Sequence, residues 1–248
     1  MTSERKNIYY ILPHHDDEMF VIPKIMRDLK ENHQIKFFFL MESDLRMKES
    51  VKFLTRLGVK GESIISIGKK LKVPDGSIHL FMDEIYSTIM ATANSEKKLE
   101  EIVCTAFEGG HNDHDSASLI ARNIAGKFNA TVFEFYLYNG HGTRGKFYKV
   151  ASPVNLVAKV TISYSWRDLI TVLRAPFIFA SQLSAMIGLW PFLMLKILMF
   201  KPLTLNRLLP GQLEWSDFGS APLYERWGRI TQSEFNTNKN DFIRNISK

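Results

Sequence analysis

Two short stretches of this 248-residue chain concentrate imidazole and carboxylate groups. The first is Pro13-His14-His15-Asp16-Asp17-Glu18, and the second is Glu108-Gly109-Gly110-His111-Asn112-Asp113-His114-Asp115. Neutral imidazole and ionised carboxylate are the donors that a catalytic divalent cation takes, and two His with one Asp leave a coordination position open for water. Bound Zn²⁺ brings such a water to a pKa of about 7, which makes hydroxide available near neutrality. A carboxylate outside the ligand set can then act as general base, and a spare His as acid for a leaving group. The competing use of these side chains is structural, since Asp16, Asp17, Asn112 and Asp113 all suit the first turn of a helix, where they cap free N–H groups and meet the helix dipole. One cluster would fit capping as well as chemistry. Two, each pairing His with Asp after an apolar run, favour chemistry.

The elements that must position these groups follow from the hydrophobic pattern. Asn7 to Leu12 (NIYYIL) is apolar throughout, as in a strand buried on both faces, and stops at Pro13. A helix is predicted from about Met19 to Asn32, a strand over Ile35 to Leu40, a charged amphipathic helix over Asp44 to Leu57 closed by Gly58, and a short strand over Ser63 to Ile67. Further on come a helix from about Glu84 to Leu99, a strand over Ile102 to Phe107, a helix over His114 to Phe128 and a strand over Thr131 to Tyr138. Strands alternating with helices imply a parallel sheet, whose carboxyl-end loops bring distant motifs to one crevice. The expected fold is α/β: a Rossmann-like three-layer arrangement with a mostly parallel sheet and a C-terminal helical elaboration. The expected organisation is one unit over residues 1–248, with a core over 1–150 and the elaboration over about 165–210.

Composition narrows the class. Hydrophobic residues at 45%, charged residues at 23% and a lone cysteine, Cys104, exclude disulfide-framed and wholly disordered chains. The start, MTSERKNIYYIL, lacks the long apolar run and small-residue cleavage site of a secretory signal, so a cytoplasmic setting is expected. Net charge +6 favours anionic partners in general, yet no nucleic-acid partner is expected from so modest an excess. GxGxxG, GKS/T and GxSxG motifs are absent, which removes support for dinucleotide, P-loop and serine-hydrolase chemistry.

Leu169 to Leu213 contains no Asp or Glu, carries Arg174, Lys196, Lys201 and Arg207, and includes a nearly unbroken apolar run from Leu183 to Phe200. Eighteen residues are short for a membrane span, and both Pro191 and Lys196 fall inside the run. A membrane-resting or substrate-covering helical hairpin suits this pattern best, with buried helices or a homo-oligomer interface as the plainer alternative. The tail from Thr231 is polar and reads as loosely held. Trp190, Trp215 and Trp227 are candidates for sugar stacking, a membrane interface or simple packing.

His14-His15-Asp16-Asp17-Glu18 resembles the (A/P)-H-P-D-D-E signature, and His111-Asn112-Asp113-His114 the H-x-D-H signature, of the PIG-L/LmbE-like N-deacetylases. Arg46-x-x-Glu49 followed by Leu57-Gly58 resembles the R-x-x-E helix of that family, and the likeness spans about residues 7 to 140. What the resemblance implies is a metal-dependent enzyme, usually a zinc enzyme with Fe²⁺ or another divalent ion as alternatives, that removes acetate from an N-acetylglucosamine-type sugar. It implies His14, Asp17 and His114 as metal ligands, Asp16 as general base, His111 as acid or oxyanion-stabilising group, and Asp113 as the residue that orients a histidine. Arg46, His15 and His141 are the expected substrate contacts; His141 sits in Asn139-Gly140-His141-Gly142, which is also ordinary turn chemistry. Two departures stand out: His15 replaces the usual proline, and Leu40-Met41-Glu42-Ser43-Asp44 replaces a Thr-Asp-Gly-like turn. Ser181-Gln182 matches a pair found late in family members.

The function expected from this reading is metal-dependent N-deacetylation of a lipid- or glycan-linked N-acetylated sugar, with peripheral membrane association through the apolar segment. Deacetylation of a small soluble amino-sugar conjugate is the first alternative. A non-catalytic metal- or glycan-binding protein is the second.

Overall fold

The computed structural model describes residues 4–96, 98–199, 202–212 and 220–247. Within them the strands are β1 (Asn7–Leu12), β2 (Gln34–Phe39), β3 (Ile64–Ser66), β4 (Glu101–Thr105), β5 (Thr131–Phe135), β6 (Tyr138–Asn139), β7 (Lys149–Val150), β8 (Lys159–Ile162) and β9 (Leu203–Leu208). The helices are α1 (Ile22–Lys30), α2 (Asp44–Leu57), α3 (Ile67–Leu71), α4 (Met82–Asn94), α5 (Asn112–Phe128), α6 (Trp166–Ile178), α7 (Leu183–Leu198), α8 (Leu223–Arg226) and α9 (Gln232–Ile246). Seven strands form one sheet in the order β3-β2-β1-β4-β5-β9-β8. The first five run parallel, β9 is antiparallel to both β5 and β8, and β6 pairs with β7 apart from the sheet.

The apolar runs build this sheet because every side chain in them has somewhere to go. Along β1, Ile8, Tyr10 and Leu12 enter one core, while Tyr9 and Ile11 enter the other. On β2, Phe37 and Phe39 face the first core and Phe38 the second, and each such burial contributes about 1.5–3 kcal/mol. The first core is covered by α1, α2, α6 and α7 through residues such as Ile25, Phe53, Val172 and Leu193. The second is covered by α4, α5 and α9 through Ile85, Ile120 and Phe235. The result is the expected three-layer α/β fold.

The topology places both His/Asp stretches together. From β1 the chain moves outward to β2 and β3, then crosses back to set β4 on the other edge of β1. The carboxyl ends of β1 and β4 therefore flank the point where the connections diverge, which is where an open α/β sheet leaves its crevice. His14 follows β1 and His111 follows β4. α2 starts at Ser43, whose hydroxyl accepts the Arg46 N–H, and ends as expected at Gly58 with φ 103°.

Several expectations are corrected. The helix expected from Met19 opens instead as a 3-10 turn over Asp17–Val21, and the strand expected to reach Tyr138 stops at Phe135. β8 and β9 escaped the sequence reading, so α6 and α7 are not an appendage: they join two neighbouring strands at the sheet edge. The tail is not loose, because α9 packs Phe235 and Phe242 into the second core. No helix among the described residues is long and apolar enough to cross a membrane. Phe200, Lys201, Leu213 and Trp215 lie outside the described residues.

Candidate metal centre and cleft

At the carboxyl ends of β1 and β4 lies a cleft of about 420 Å³ walled by His14, Asp16, Asp17, Arg46, His111 and His114, with Tyr138, Gln182, Leu189 and Arg229 among the remaining contributors. His14, Asp17 and His114 are buried and present donor atoms that all lie within 4.8 Å of one another. His14 Nδ1 is 3.2 Å from His114 Nε2, and Asp17 approaches them with Oδ2 3.5 Å from the first and Oδ1 3.8 Å from the second. Asp17 is fixed by the His14 N–H, which donates to Oδ2 at 3.0 Å.

The tautomer of His14 is set from behind. Its Nε2 lies 3.1 Å from Asp113 Oδ2, and the same carboxylate accepts the N–H groups of Gly76 at 2.7 Å and Ile78 at 3.0 Å. A carboxylate so held keeps the His14 proton on Nε2 and turns the Nδ1 lone pair toward His114 and Asp17. Burial opposes charge on His14, but Asp113, Asp17 and Asp75 together hold its pKa well above the ordinary value, so a cation bound here would take the place of the second ring proton at Nδ1. Burial takes His114 down to about 4, against the pull of Asp17. Burial alone would raise the Asp17 carboxyl, yet the facing His114 and His14 hold it below the ordinary range. Two imidazoles and a carboxylate crowded around one point are the donor set that suits a divalent cation.

A second group of donors, His14, Asp75, His111 and Asp113, also lies close together. Its lone pairs are already engaged, because Asp113 takes two backbone N–H groups and His111 Nδ1 accepts the Asp113 N–H at 3.1 Å. The first group is therefore the metal site that the geometry favours.

Asp16 stands at the cleft beside this group in a left-handed conformation, φ 113°, which is costly for a residue with a side chain. The buried Glu18 maintains it by accepting the Asp16 N–H at 2.8 Å. Burial and the Asp17 charge push the Asp16 carboxyl up to about 7, opposed by Arg46, which donates to Oδ1 at 3.0 Å. Arg46 also donates to the His15 carbonyl at 3.1 Å and to Asp75 at 3.3 Å. It does not bridge to Glu49, the helix-face alternative. Glu49 instead accepts both the N–H and the hydroxyl of Ser181, at 3.0 and 2.5 Å, and so ties the helical elaboration to α2 beside Gln182 in the cleft wall.

His111 caps α5 through Nδ1, and Arg229 Nη1 lies against its Nε2. Burial, then the positive neighbours His14, His114 and Arg229, hold the ring well below the ordinary histidine value. Both ring nitrogens face donors, Nδ1 the Asp113 N–H and Nε2 the Arg229 guanidinium, which favours the neutral ring.

Two residues expected to contact substrate lie outside the cleft wall. His15, expected as a substrate contact, is instead fully buried, stacked on Phe39 at 4.6 Å between ring centres, and outside the cleft wall, where it packs in the interior. Burial lowers its pKa to about 3. His141 is exposed and outside the cleft; its N–H donates to Asn139 Oδ1 at 3.1 Å, which is turn chemistry. Asp113, expected to orient a histidine, is fully buried behind His14 with Oδ2 3.1 Å from its Nε2 and does not line the cleft. Gly109 adopts φ 66°, and a Cβ on Gly110 would stand 1.9 Å from the Tyr138 carbonyl oxygen, so this pair serves the turn into His111. Trp190 ties α7 to α6 by donating to the Val172 carbonyl at 3.0 Å.

Asp75, Tyr138 and Arg229 were missed from sequence. Pro74-Asp75-Gly76 carries a turn signal that places Asp75 on a loop, whereas Arg229 follows the chain past α8 with no local pattern to mark it.

No family model matches the chain, and no curated protein does so. Solved structures share its fold. A zinc-inhibited form of the teicoplanin deacetylase Orf2 superposes with a TM-score of 0.62 at 13% identity, covering 82% of this chain and 97% of that one. The A40926 pseudoaglycone deacetylase Dbv21 gives 0.62 at 14% identity, covering 86% and 100%. A complex of the teicoplanin-pathway deacetylase with bog gives 0.59 at 14%, covering 82% and 97%.

Proposed function

We propose that this chain is a metal-dependent N-deacetylase that hydrolyses the acetamide of an N-acetylglucosamine-type sugar and releases acetate. The observation that carries the reading is the convergence of His14 Nδ1, His114 Nε2 and Asp17 on one point in a cleft that also holds Asp16 and His111. The shared fold of the antibiotic-pathway deacetylases, one of them in a zinc-inhibited form, supports it.

His14, Asp17 and His114 would hold Zn²⁺, or another divalent ion such as Fe²⁺. When bound, such an ion supplies an acidified water and polarises the acetamide carbonyl. Asp16 takes the proton of the attacking water as the new C–O bond forms. Its elevated carboxyl value matches that task near neutrality. Arg46 aims the carboxylate through its 3.0 Å contact. His111, with the Arg229 guanidinium against its Nε2, stabilises the oxyanion that develops on the acetamide oxygen, and a ring held neutral suits that role better than proton delivery. Asp16 returns its proton to the amine as the C–N bond breaks.

The substrate proposed is a lipid- or glycan-linked precursor, because Gln182 and Leu189 bring the apolar helical elaboration into the cleft wall. The test is acetate release by zinc-reloaded protein from free, nucleotide-linked and lipid-linked N-acetylglucosamine. Release confined to the lipid-linked member supports the full reading. Release from the soluble members favours the small-conjugate alternative, and no release from any member with metal bound contradicts deacetylation of these sugars.

A further inference from the structure

Residues 135–213 hold nine Lys and Arg but one acid, Asp168, a net +8 against +6 for the whole chain. That acid is buried in the capping box of α6, where it pairs with Ser165, so it leaves the surface charge untouched. The same stretch carries large apolar side chains that are exposed among the described residues. On α6, Trp166, Ile170, Leu173 and Phe177 are exposed at 78, 45, 42 and 84%, a spacing that lines one helix face. On α7, Leu183, Ile187, Leu195 and Leu198 form a second such stripe, with Ile187 at 75%. Both helices turn their opposite faces, through Val172, Ala175, Leu193 and Ile197, into the first core, so the stripes look outward.

Basic groups frame these stripes. Arg167 and Arg174 are exposed on α6, and the loop Arg144-Gly145-Lys146-Phe147 is pinned beside α7 by the Tyr148 hydroxyl, which donates to the Gly188 carbonyl at 3.0 Å. Phe147 on that loop is 78% exposed between its basic neighbours. An outward apolar face rimmed by Arg and Lys, with no exposed acid among the described residues of this stretch, matches the surface of an anionic lipid bilayer: the apolar side chains enter the acyl boundary and the cations meet the headgroup phosphates. A protein partner would need an acidic apolar surface of its own, and a second copy would oppose like charge to like charge.

We propose that the outer face of α6 and α7, with the Arg144–Phe147 loop, seats this protein on an anionic membrane surface and so holds the cleft, one wall of which is Gln182 and Leu189, at the lipid boundary. This extends the deacetylase reading from substrate to location, and its test reads binding without turnover, so either can fail alone.

The experiment is sedimentation of the full chain with vesicles of phosphatidylcholine alone or mixed with phosphatidylglycerol, at low and raised salt. The expected result is binding to the anionic vesicles that weakens at least about tenfold in their absence or at raised salt, at about fivefold per basic residue engaged. Phe177→Glu with Ile187→Glu should weaken binding by a further factor of about ten while leaving the circular dichroism and acetate release from a soluble substrate unchanged. Absence of binding to anionic vesicles at low salt overturns the proposal. So does binding that survives the double substitution, or a dimer in solution that the double substitution dissociates.

Discussion

Asp113 Oδ2 lies 3.1 Å from Nε2 of His14, on the side of the ring opposite the nitrogen that faces His114. A buried carboxylate that also accepts two backbone N–H groups thus dictates which nitrogen of His14 is free to bind a metal. Asp113→Asn should weaken zinc binding about 10–100-fold while the fold persists. Calorimetric zinc titration of the variant checks this; unchanged affinity would show that Asp113 serves only the loop at Gly76 and Ile78.

Asp16 and Asp17 are adjacent in sequence but differ in task. Asp16→Asn should retain the metal and lose about 10²–10⁴-fold in kcat. Metal analysis of the purified variant separates the roles, since loss of the metal would place Asp16 among the ligands.

Glu108 links the second motif to β6. It accepts the N–H groups of Leu137 at 2.8 Å and Tyr138 at 3.0 Å, and burial, reinforced by the Asp115 charge, holds its carboxyl well above the ordinary value. The unfolded chain gives up this proton near pH 4.3, whereas the folded chain keeps it to higher pH. Above the ordinary value the unfolded state therefore binds fewer protons, and the contribution is full below that value and declines as pH rises toward the folded one. The expected slope is up to about −1.4 kcal/mol per pH unit. Glu108→Gln keeps an oxygen for Leu137 and Tyr138 but cannot titrate, so urea unfolding across pH should show a flatter profile than the parent; identical profiles would mean that Glu108 ionises in place.

Gly110 is the close-approach point in the turn that carries His111. Gly110→Ala should destabilise the fold by about 1–3 kcal/mol, because the Tyr138 carbonyl is main chain and cannot swing away. Thermal unfolding measures the cost, and an unchanged Tm would mean that the turn has room to shift.

The parallel half of the sheet was legible because its strands are buried on both faces and read as unbroken apolar runs, as in NIYYIL and IKFFFL. β8 and β9 were not, since Lys159 to Ile162 alternates between exposed and half-buried positions and Leu203 to Leu208 includes Asn206 and Arg207. α9 was read as loose for a related reason: among its polar residues only Phe235, Lys239 and Phe242 are buried, too sparse a stripe to stand out. At the site, the residue types of the two motifs pointed to two His and one Asp around a metal, the family resemblance singled out His14, Asp17 and His114, and these converge because both motifs follow buried strands that prove to be neighbours. Arg229 reaches the cleft through long-range packing that leaves no local pattern, and the turn signal at Pro74-Asp75-Gly76 marks a loop but not the cleft it joins. His15 shows the opposite failure: a motif position suggested chemistry, but the ring turns inward to stack on Phe39.

The most direct test of the account is acetate release from an N-acetylglucosamine substrate by chelator-stripped protein as Zn²⁺ is added back, alongside His114→Ala. The account predicts no release without metal, release that rises to a plateau as one site fills, and none from His114→Ala at the same metal concentration. Release that persists after stripping, or that survives loss of His114, would contradict it.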